Sequence, residues 1–551
     1  MTARLYLGDE ALAQGAIDAG LSGAYAYPGT PSTEIMEHVQ RVVAATSRPI
    51  HCRWSSNEKT ALEAAVGMSY AGRRAMASMK HVGLNVAADP FINAALIGTR
   101  GGLLINVADD PSMHSSQNEQ DSRFYADMAH VPCLEPGDQQ QAYDAPRIAF
   151  DLSEAFEVPV LIRLTTRLAH SRADVEVRDT QPRAQNPFSL PDDRQRFILL
   201  PAHARKRYRH LLDQQPALER ASEESPFSFL SLEGDSSVGI LSCGIAGNYV
   251  REVLGESVYH PWLQIGQYPL PVEKINVLFS ACERILVVEE GAPFVESRLR
   301  GIIHRSAPEI VGRLTGHLPR TGELNPEAVA NAFQRFGRPK NEISCEPSPI
   351  VRNRPPALCQ GCPHIDSYRA LNEAMLPHRG QGRVFADIGC YTLGAMPPLE
   401  SIDTCLCMGA SITMAKGAAD AGAAPVVAVI GDSTFAHSGL TGLLDCTAEQ
   451  TSITILLLDN DTVAMTGGQD SQATGRFAAL CEALGVNPEH IVMMIPRADR
   501  HEENVAKIVR ELSFEGPSVI LAQRECIQTL RRSASASNAS PTPTRAKGGR
   551  P

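Results

Sequence analysis

Val426-Val427-Ala428-Val429-Ile430-Gly431-Asp432-Ser433 is an apolar run that stops on a glycine and a carboxylate. A short run rich in β-branched residues and closed by turn formers predicts a strand buried on both faces, as in a parallel sheet covered by helices. A second such run, Ile453 to Leu458, leads into Asp459-Asn460, and Asn460 lies 28 positions after Asp432. Both polar groups therefore emerge at the carboxyl ends of core strands, the edge at which open α/β sheets bind ligands. Magnesium demands an octahedron of hard oxygens and takes only one or two from side chains, leaving the rest to phosphate and water. Asp432 and the Asn460 amide oxygen meet that demand, with the Thr462 carbonyl as a third protein ligand. Gly431 lets the backbone approach a phosphate closely, and a helix expected after Ser438 adds the positive end of its dipole. A structural reading competes: Gly431-Asp432-Ser433 is also an ordinary strand-to-helix turn with Asp as its cap.

Outward from this segment, strands and helices alternate from Cys359 to Ala522, with Ser518 to Ala522 as a further core strand. The same alternation runs from Leu5 to about Arg172: an Ala-rich helical stretch (Glu10 to Ala19), the turn Tyr27-Pro28-Gly29-Thr30-Pro31, a helix near Ala61 to Tyr70, and strands at Gly102 to Val107 and Val158 to Ile162. Between these lies a polar segment, Asp174 to about Gln195, expected to be a linker, and then a charged helical piece from Asp193 to Ser222. A middle α/β unit follows, with strands at Val238 to Leu241 and Ile285 to Val288 and a helix at Asn248 to Leu254. Its Gly244-Ile245-Ala246-Gly247 is read first as a strand-to-helix turn and second as a nucleotide or coenzyme A contact. The Pro-rich segment Glu346 to Pro356 reads as another linker. Expected boundaries are 1–175, 176–345 and 346–530, with a disordered tail at 531–551 that has too few apolar residues to offset its ordering entropy.

At 551 residues the chain is long enough for several cores. A net charge of -11 argues against a nucleic-acid or membrane-surface partner, since phosphate binding wants surplus Lys and Arg. No early apolar run suits a signal peptide and no stretch suits a bilayer span, so a cytoplasmic protein is expected. In that compartment the 13 cysteines are fillers or metal ligands rather than disulfides. Cys359-Gln360-Gly361-Cys362 has the spacing that brings two thiolates to one metal, and Asp387-Ile388-Gly389-Cys390 follows.

Around the Asp432 and Asn460 pair the text becomes more specific. Gly431-Asp432-Ser433-Thr434-Phe435, His437-Ser438-Gly439 and Asp459-Asn460-Asp461-Thr462-Val463-Ala464-Met465-Thr466-Gly467-Gly468-Gln469 resemble the alpha subunit of indolepyruvate:ferredoxin oxidoreductase. Tyr27-Pro28-Gly29-Thr30-Pro31-Ser32, Lys80-His81-Val82-Gly83-Leu84-Asn85 and the segment Ala108 to Arg123 resemble the same family, and the likeness runs from about Gly8 to Cys526.

That resemblance implies a thiamine-diphosphate-binding fold of class α/β: two doubly wound parallel-sheet cofactor domains, pyrimidine-binding then diphosphate-binding, with an α/β domain between them. It implies thiamine diphosphate and Mg2+ as cofactors, with Gly431, Asp432, Ser433, Asn460, Thr462, Gly409 and Ala410 among the cofactor-binding residues. Glu58 becomes the acid that activates the aminopyrimidine, although Ser55-x-x-Glu58 also spells a helix capping box. Thr30 becomes a donor to the substrate carboxylate, although it also reads as a helix cap. His81, Arg100, His114 and His437 are read as structural hydrogen-bonding residues first and substrate contacts second.

In the family, Cys359, Cys362, Cys390 and Cys526 match the four ligands of one [4Fe-4S] cluster. A four-thiolate zinc site and cysteines without metal are the competing readings. Gln360 replaces the family's usual Pro, and no closely spaced Cys-x-x-Cys-x-x-Cys run, by which the family commonly holds further clusters, follows Cys526. The implied reaction is oxidative decarboxylation of an aryl 2-oxoacid such as indolepyruvate to acyl-CoA and CO2. Implied partners are a small beta subunit with a gamma-type domain, coenzyme A, and ferredoxin or another electron acceptor, in a hetero-oligomer. A non-oxidative thiamine-dependent decarboxylase and a non-catalytic subunit of a redox complex are the rival readings.

Overall fold

The computed structural model describes residues 2–178, 183–193, 195–255, 258–301, 308–337, Ile350, 356–469 and 473–531. Nearly all of the expected tail at 531–551 and of the expected linker at Glu346 to Pro356 lies outside them. The chain forms two compact units, Met1–Ser348 and Pro349–Pro551.

The second unit is built on a six-stranded sheet whose strands are all parallel, in the order Thr404–Cys405, Arg383–Ala386, Val426–Gly431, Thr454–Asp459, Ser518–Gln523, Ile491–Met494. Successive side chains of a strand face opposite ways, and this explains the uninterrupted apolar runs. Val426, Ala428 and Ile430 enter one core with Ile412 and Leu443, while Val427 and Val429 enter another with Leu371 and Ile508. The sheet is thus covered by helices on both faces. Gly431 pairs with Leu458 and Ala386 with Val429, so three neighbouring strands end together and present Asp387, Asp432 and Asn460 at one edge.

The first unit contains two larger sheets. Seven strands run in the order Gln267–Tyr268, Cys133–Leu134, Val160–Thr165, Leu103–Asp109, Ala75–Lys80, Gly23–Ala26, His51–Trp54, all parallel except the antiparallel edge strand Gln267–Tyr268. Five more run Glu309–Val311, Arg284–Val288, Gly239–Cys243, Trp262–Ile265, Phe229–Ser231, with the last antiparallel. The edge strand Gln267–Tyr268 comes from the middle of the chain, and Trp262 and Leu286 share a core with Leu12 and Ile162. The segment read as a linker from Asp174 begins inside a strand: Arg172–Val177 pairs antiparallel with Thr2–Leu7. Its polar and apolar residues alternate, with Val175 and Val177 buried and Arg172, Asp174 and Glu176 turned outward or half exposed, so a one-sided strand was hidden in polar composition.

Candidate active site

Gly431 ends its strand, and helix begins at once: Asp432–Thr434 continues through a π-helical turn, Phe435–Gly439, into Leu440–Glu449. The helix expected after Ser438 therefore starts earlier, at Asp432, which occupies its first turn. The Asp432 Oδ1 accepts from the Ser433 N–H at 2.7 Å, and Oδ2 accepts from the Thr462 N–H at 3.2 Å. The same Thr462 N–H approaches the Asn460 Oδ1 at 3.3 Å, so the two side-chain oxygens named from the sequence converge on one amide. Gly431 has a steric reason as well, since a Cβ there would stand 2.6 Å from the Tyr391 ring.

Asp432 is 3% exposed, and among the described residues no Lys, Arg or His forms an ion pair with it. Burial, with Asp459 adding repulsion, pushes its carboxyl up to about 7. A buried carboxyl with hard oxygens beside it and no cation of its own is a donor set that fits Mg2+. The amide of Asn460 is oriented from its other side by His364, whose Nε2 lies 3.3 Å from Nδ2. Burial lowers that imidazole to about 4, which keeps it neutral and able to accept.

The neighbouring strand end carries Asp387, which sequence reasoning passed over. Its carboxylate accepts from the Ser411 N–H at 3.0 Å and from the Ser411 hydroxyl at 2.5 Å. Burial raises it to about 6, against the opposing effect of Ser411 and of the Gly409 and Ala410 N–H groups at the start of the helix Ala410–Asp420. Gly409 has φ +93°, and a Cβ on it would fall 2.5 Å from that of Ser438. The rule that selected Asp432, a carboxylate just after a core strand, would have selected Asp387 too.

Cys359 and Cys362 precede the helix Pro363–Met375, Cys390 opens the short turn Cys390–Ala395, and Cys526 follows the last core strand. Burial, with repulsion from the neighbouring thiols, raises Cys362 to about 11 and Cys390 to about 12. Zinc, with Zn–S bonds of about 2.3 Å, would hold its thiolates roughly 4 Å apart. No three of these four sulfurs lie within 4.8 Å of one another. The Cys526 N–H donates to the Asn460 carbonyl at 3.2 Å, which ties the cysteine group to the Asp432 edge.

In the first unit Glu58 is the first residue of the helix Glu58–Tyr70 and is 5% exposed. The cap is made by Asn57 with Thr60, whose N–H donates to the Asn57 Oδ1 at 2.9 Å, so the Ser55–Glu58 capping box does not form. Glu58 packs under Gly83, where a Cβ would stand 2.5 Å from its Oε1. Thr30 stands in the turn after the strand Gly23–Ala26. The following helix, Thr33–Thr46, has Ser32 rather than Thr30 at its N-cap position, and the Ser32 side chain makes no cap hydrogen bond. The Thr30 carbonyl accepts from the Ser115 hydroxyl at 3.1 Å, and the Ser115 carbonyl accepts from Lys80 at 2.7 Å. Lys80 ends the adjacent strand, and burial lowers its ammonium to about 8 despite Asp110 nearby. Arg100 donates to the Ser189 carbonyl and His114 pairs with Glu323, as structural readings of these residues require, whereas His81 meets the Asn118 carbonyl through Nε2 and its buried Nδ1 has no partner among the described residues. Gly247 abuts Gln264 in an ordinary strand-to-helix turn.

Residues 14–214 match the family described as pyruvate flavodoxin/ferredoxin oxidoreductase, thiamine diP-binding, and residues 387–522 match the C-terminal TPP-binding domain of thiamine pyrophosphate enzymes. Curated relatives are named indolepyruvate oxidoreductase subunit IorA. That of Archaeoglobus fulgidus is 37% identical over 94% of this chain and 86% of its own length. That of Methanothermobacter thermautotrophicus is 40% identical over 95% and 86%. Among solved structures, a 2-oxoglutarate:ferredoxin oxidoreductase from Magnetococcus marinus aligns with a TM-score of 0.50 at 18% identity, covering 60% of this chain and 65% of that one, a likeness of fold. No helix among the described residues is long and apolar enough to cross a membrane.

Proposed function

The chain belongs to the family of indolepyruvate oxidoreductase IorA subunits, and on that premise we propose that it decarboxylates an aryl 2-oxoacid oxidatively to acyl-CoA and CO2. It is a catalytic subunit of a thiamine-diphosphate-dependent 2-oxoacid oxidoreductase. When bound, thiamine diphosphate supplies the nucleophilic carbon and the electron sink. Asp432, the Asn460 amide oxygen and the Thr462 carbonyl hold Mg2+ against the diphosphate, with room made by Gly431 and Gly409 and with Ser433 and Ala410 beside it. Glu58 positions a proton at the aminopyrimidine. Thr30 orients the substrate carboxylate, and the Lys80 ammonium adds positive charge at the same turn.

Cys359, Cys362, Cys390 and Cys526 would hold one [4Fe-4S] cluster, a group that would supply one-electron transfer. Four cysteines match the ligand count of such a cluster, and the mutual repulsion felt by Cys362 and Cys390 supports their grouping. A small gamma-type partner subunit, coenzyme A, and ferredoxin or another acceptor complete the reaction in a hetero-oligomer.

The observation that carries the reading is the convergence of the Asp432 and Asn460 oxygens on the Thr462 amide. To test it, the double variant Cys359→Ser, Cys362→Ser is purified anaerobically with its partner subunit and given an aryl 2-oxoacid. It should bind thiamine diphosphate by calorimetry yet lack the cluster's visible and EPR signals and any substrate-driven dye reduction. Dye reduction at the parent rate would sink the electron route, and absence of thiamine diphosphate binding by the parent would sink the whole reading.

A further inference from the structure

Away from these residues, three side chains from separate segments of the first unit meet at one point. Asp9 lies in the first turn of the helix Gly8–Asp18, Glu34 in the first turn of Thr33–Thr46, and His170 ends the helix Thr166–His170. One ligand atom from each lies within 4.8 Å of the other two, and the Glu34 Oε2 is 3.5 Å from the His170 Nε2. Among the described residues no other three His, Cys, Asp or Glu side chains approach so closely. Gly8 makes the approach possible: a Cβ there would fall 2.2 Å from the Leu168 carbonyl oxygen, so only glycine lets the first helix press against the segment that carries His170.

A carboxylate cluster alone would say little, but Asp9 is anomalous. It is 0% exposed, and neither of its oxygens has a hydrogen-bond partner. Glu10, next to it, is otherwise occupied, accepting from Arg41 at 2.7 Å and from the Leu7 N–H at 3.1 Å. An unpaired buried carboxyl costs several kcal/mol unless it is protonated or meets a cation. His170 and Glu34 are about a third exposed, so the point where the three groups meet opens toward solvent on their side.

We infer that Asp9, Glu34 and His170 form a binding site for a divalent transition-metal ion, with water in the remaining positions. Neighbouring ligands at about 2.1 Å from one ion stand roughly 3.0–3.4 Å apart, so the observed separations close on a metal with small side-chain movements. The imidazole nitrogen favours Mn2+, Fe2+ or Zn2+ over Mg2+ or Ca2+, which prefer all-oxygen shells. The ion would brace the turn carrying Thr30, four residues before Glu34, against the first helix and the end of the strand Val160–Thr165. This site is independent of the function proposed above.

Metal-stripped full-length protein, saturated with Mg2+ and thiamine diphosphate, is titrated with Mn2+ while the EPR signal of free Mn2+ is followed. Mn2+ is chosen because carboxylates hold it and thiolates do so poorly. The parent should take up one Mn2+ per chain with a rise in Tm, and Asp432→Asn should keep that ion. Asp9→Asn and His170→Ala should weaken it by roughly 10–100-fold or more. Asp9→Asn only removes a buried charge, and His170 is about a third exposed, so at least one folded variant is expected. Uptake equal in the parent and both variants would overturn the site. So would a parent that binds no Mn2+ while Asp9→Asn raises Tm, which would mean a protonated carboxyl and nothing more.

Discussion

In the first unit Asp109, Asp121, Glu135 and Glu289 are buried around Arg123 and Arg163, whereas in the second unit Asp432 is buried among backbone N–H groups alone. In the first group two guanidinium groups are shared among four carboxyl groups. Arg163 pairs with Asp109 at 2.6 Å and with Glu135, and Arg123 pairs with Asp121 at 2.5 Å and with Glu289 at 3.0 Å. Burial pushes Asp109 and Glu289 up toward their neutral forms, while at Asp121 the two guanidinium groups outweigh burial and hold the carboxyl down. Arg123 also reaches the Glu290 and Ala292 carbonyls and the Tyr268 hydroxyl, so the network clips the middle of the chain to the first sheet. Asp432 has no such internal cation among the described residues, and its charge is left for something from outside. A buried acid with its counter-ion in place holds a fold together, and one without it is a candidate site for a ligand.

The largest expected effect lies in the network. Arg163→Met strands Asp109 and Glu135 without their cation and should destabilise the first unit by about 3–5 kcal/mol in denaturant melts. A loss below about 1 kcal/mol would erase the contrast. Glu58→Gln should lower turnover by about 10²–10⁴-fold, read in steady-state kinetics with an aryl 2-oxoacid.

The pH dependence of the cofactor-free protein sharpens the other side. The Asp432 carboxyl sits at about 7 when folded, against about 3.9 unfolded, so between these values the folded state holds a proton that the unfolded state has lost. Stability contributed by this group should therefore fall as pH rises from about 4 to about 7, by a few kcal/mol at most, and Asp432→Asn should remove that slope. Mg2+ with thiamine diphosphate should displace the proton, so its affinity should drop toward tenfold per pH unit below about 7, read by calorimetry. The smallest effect belongs to the helix that starts with Glu58: Asn57→Ala removes its cap and should cost about 1 kcal/mol.

Much of this was legible in the chain, because strand ends are local. The apolar runs at Val426 and Ile453 end where their sequence says they should, and the residues just beyond them meet. Local reasoning misplaced what depends on distant partners. The capping role given to Ser55 and Glu58 belongs to Asn57 and Thr60, a choice between two adjacent polar triplets that only the start of the helix decides. Asp387 and Lys80 went unassigned, although both stand at ends of core strands; their value appears once neighbours such as Ser411 and Ser115 are in place.

Sequence by itself therefore determined the central core strands, their two-sided burial and the polar residues at their carboxyl ends, because hydrophobic periodicity and turn chemistry act over a few residues. Tertiary structure alone decided which charges are cancelled. The pairing of Arg163 with Asp109, the meeting of Asp9, Glu34 and His170, and the tie from Cys526 to Asn460 each join residues far apart in the chain. Strand order, set by the packing of whole sheets, brings them together.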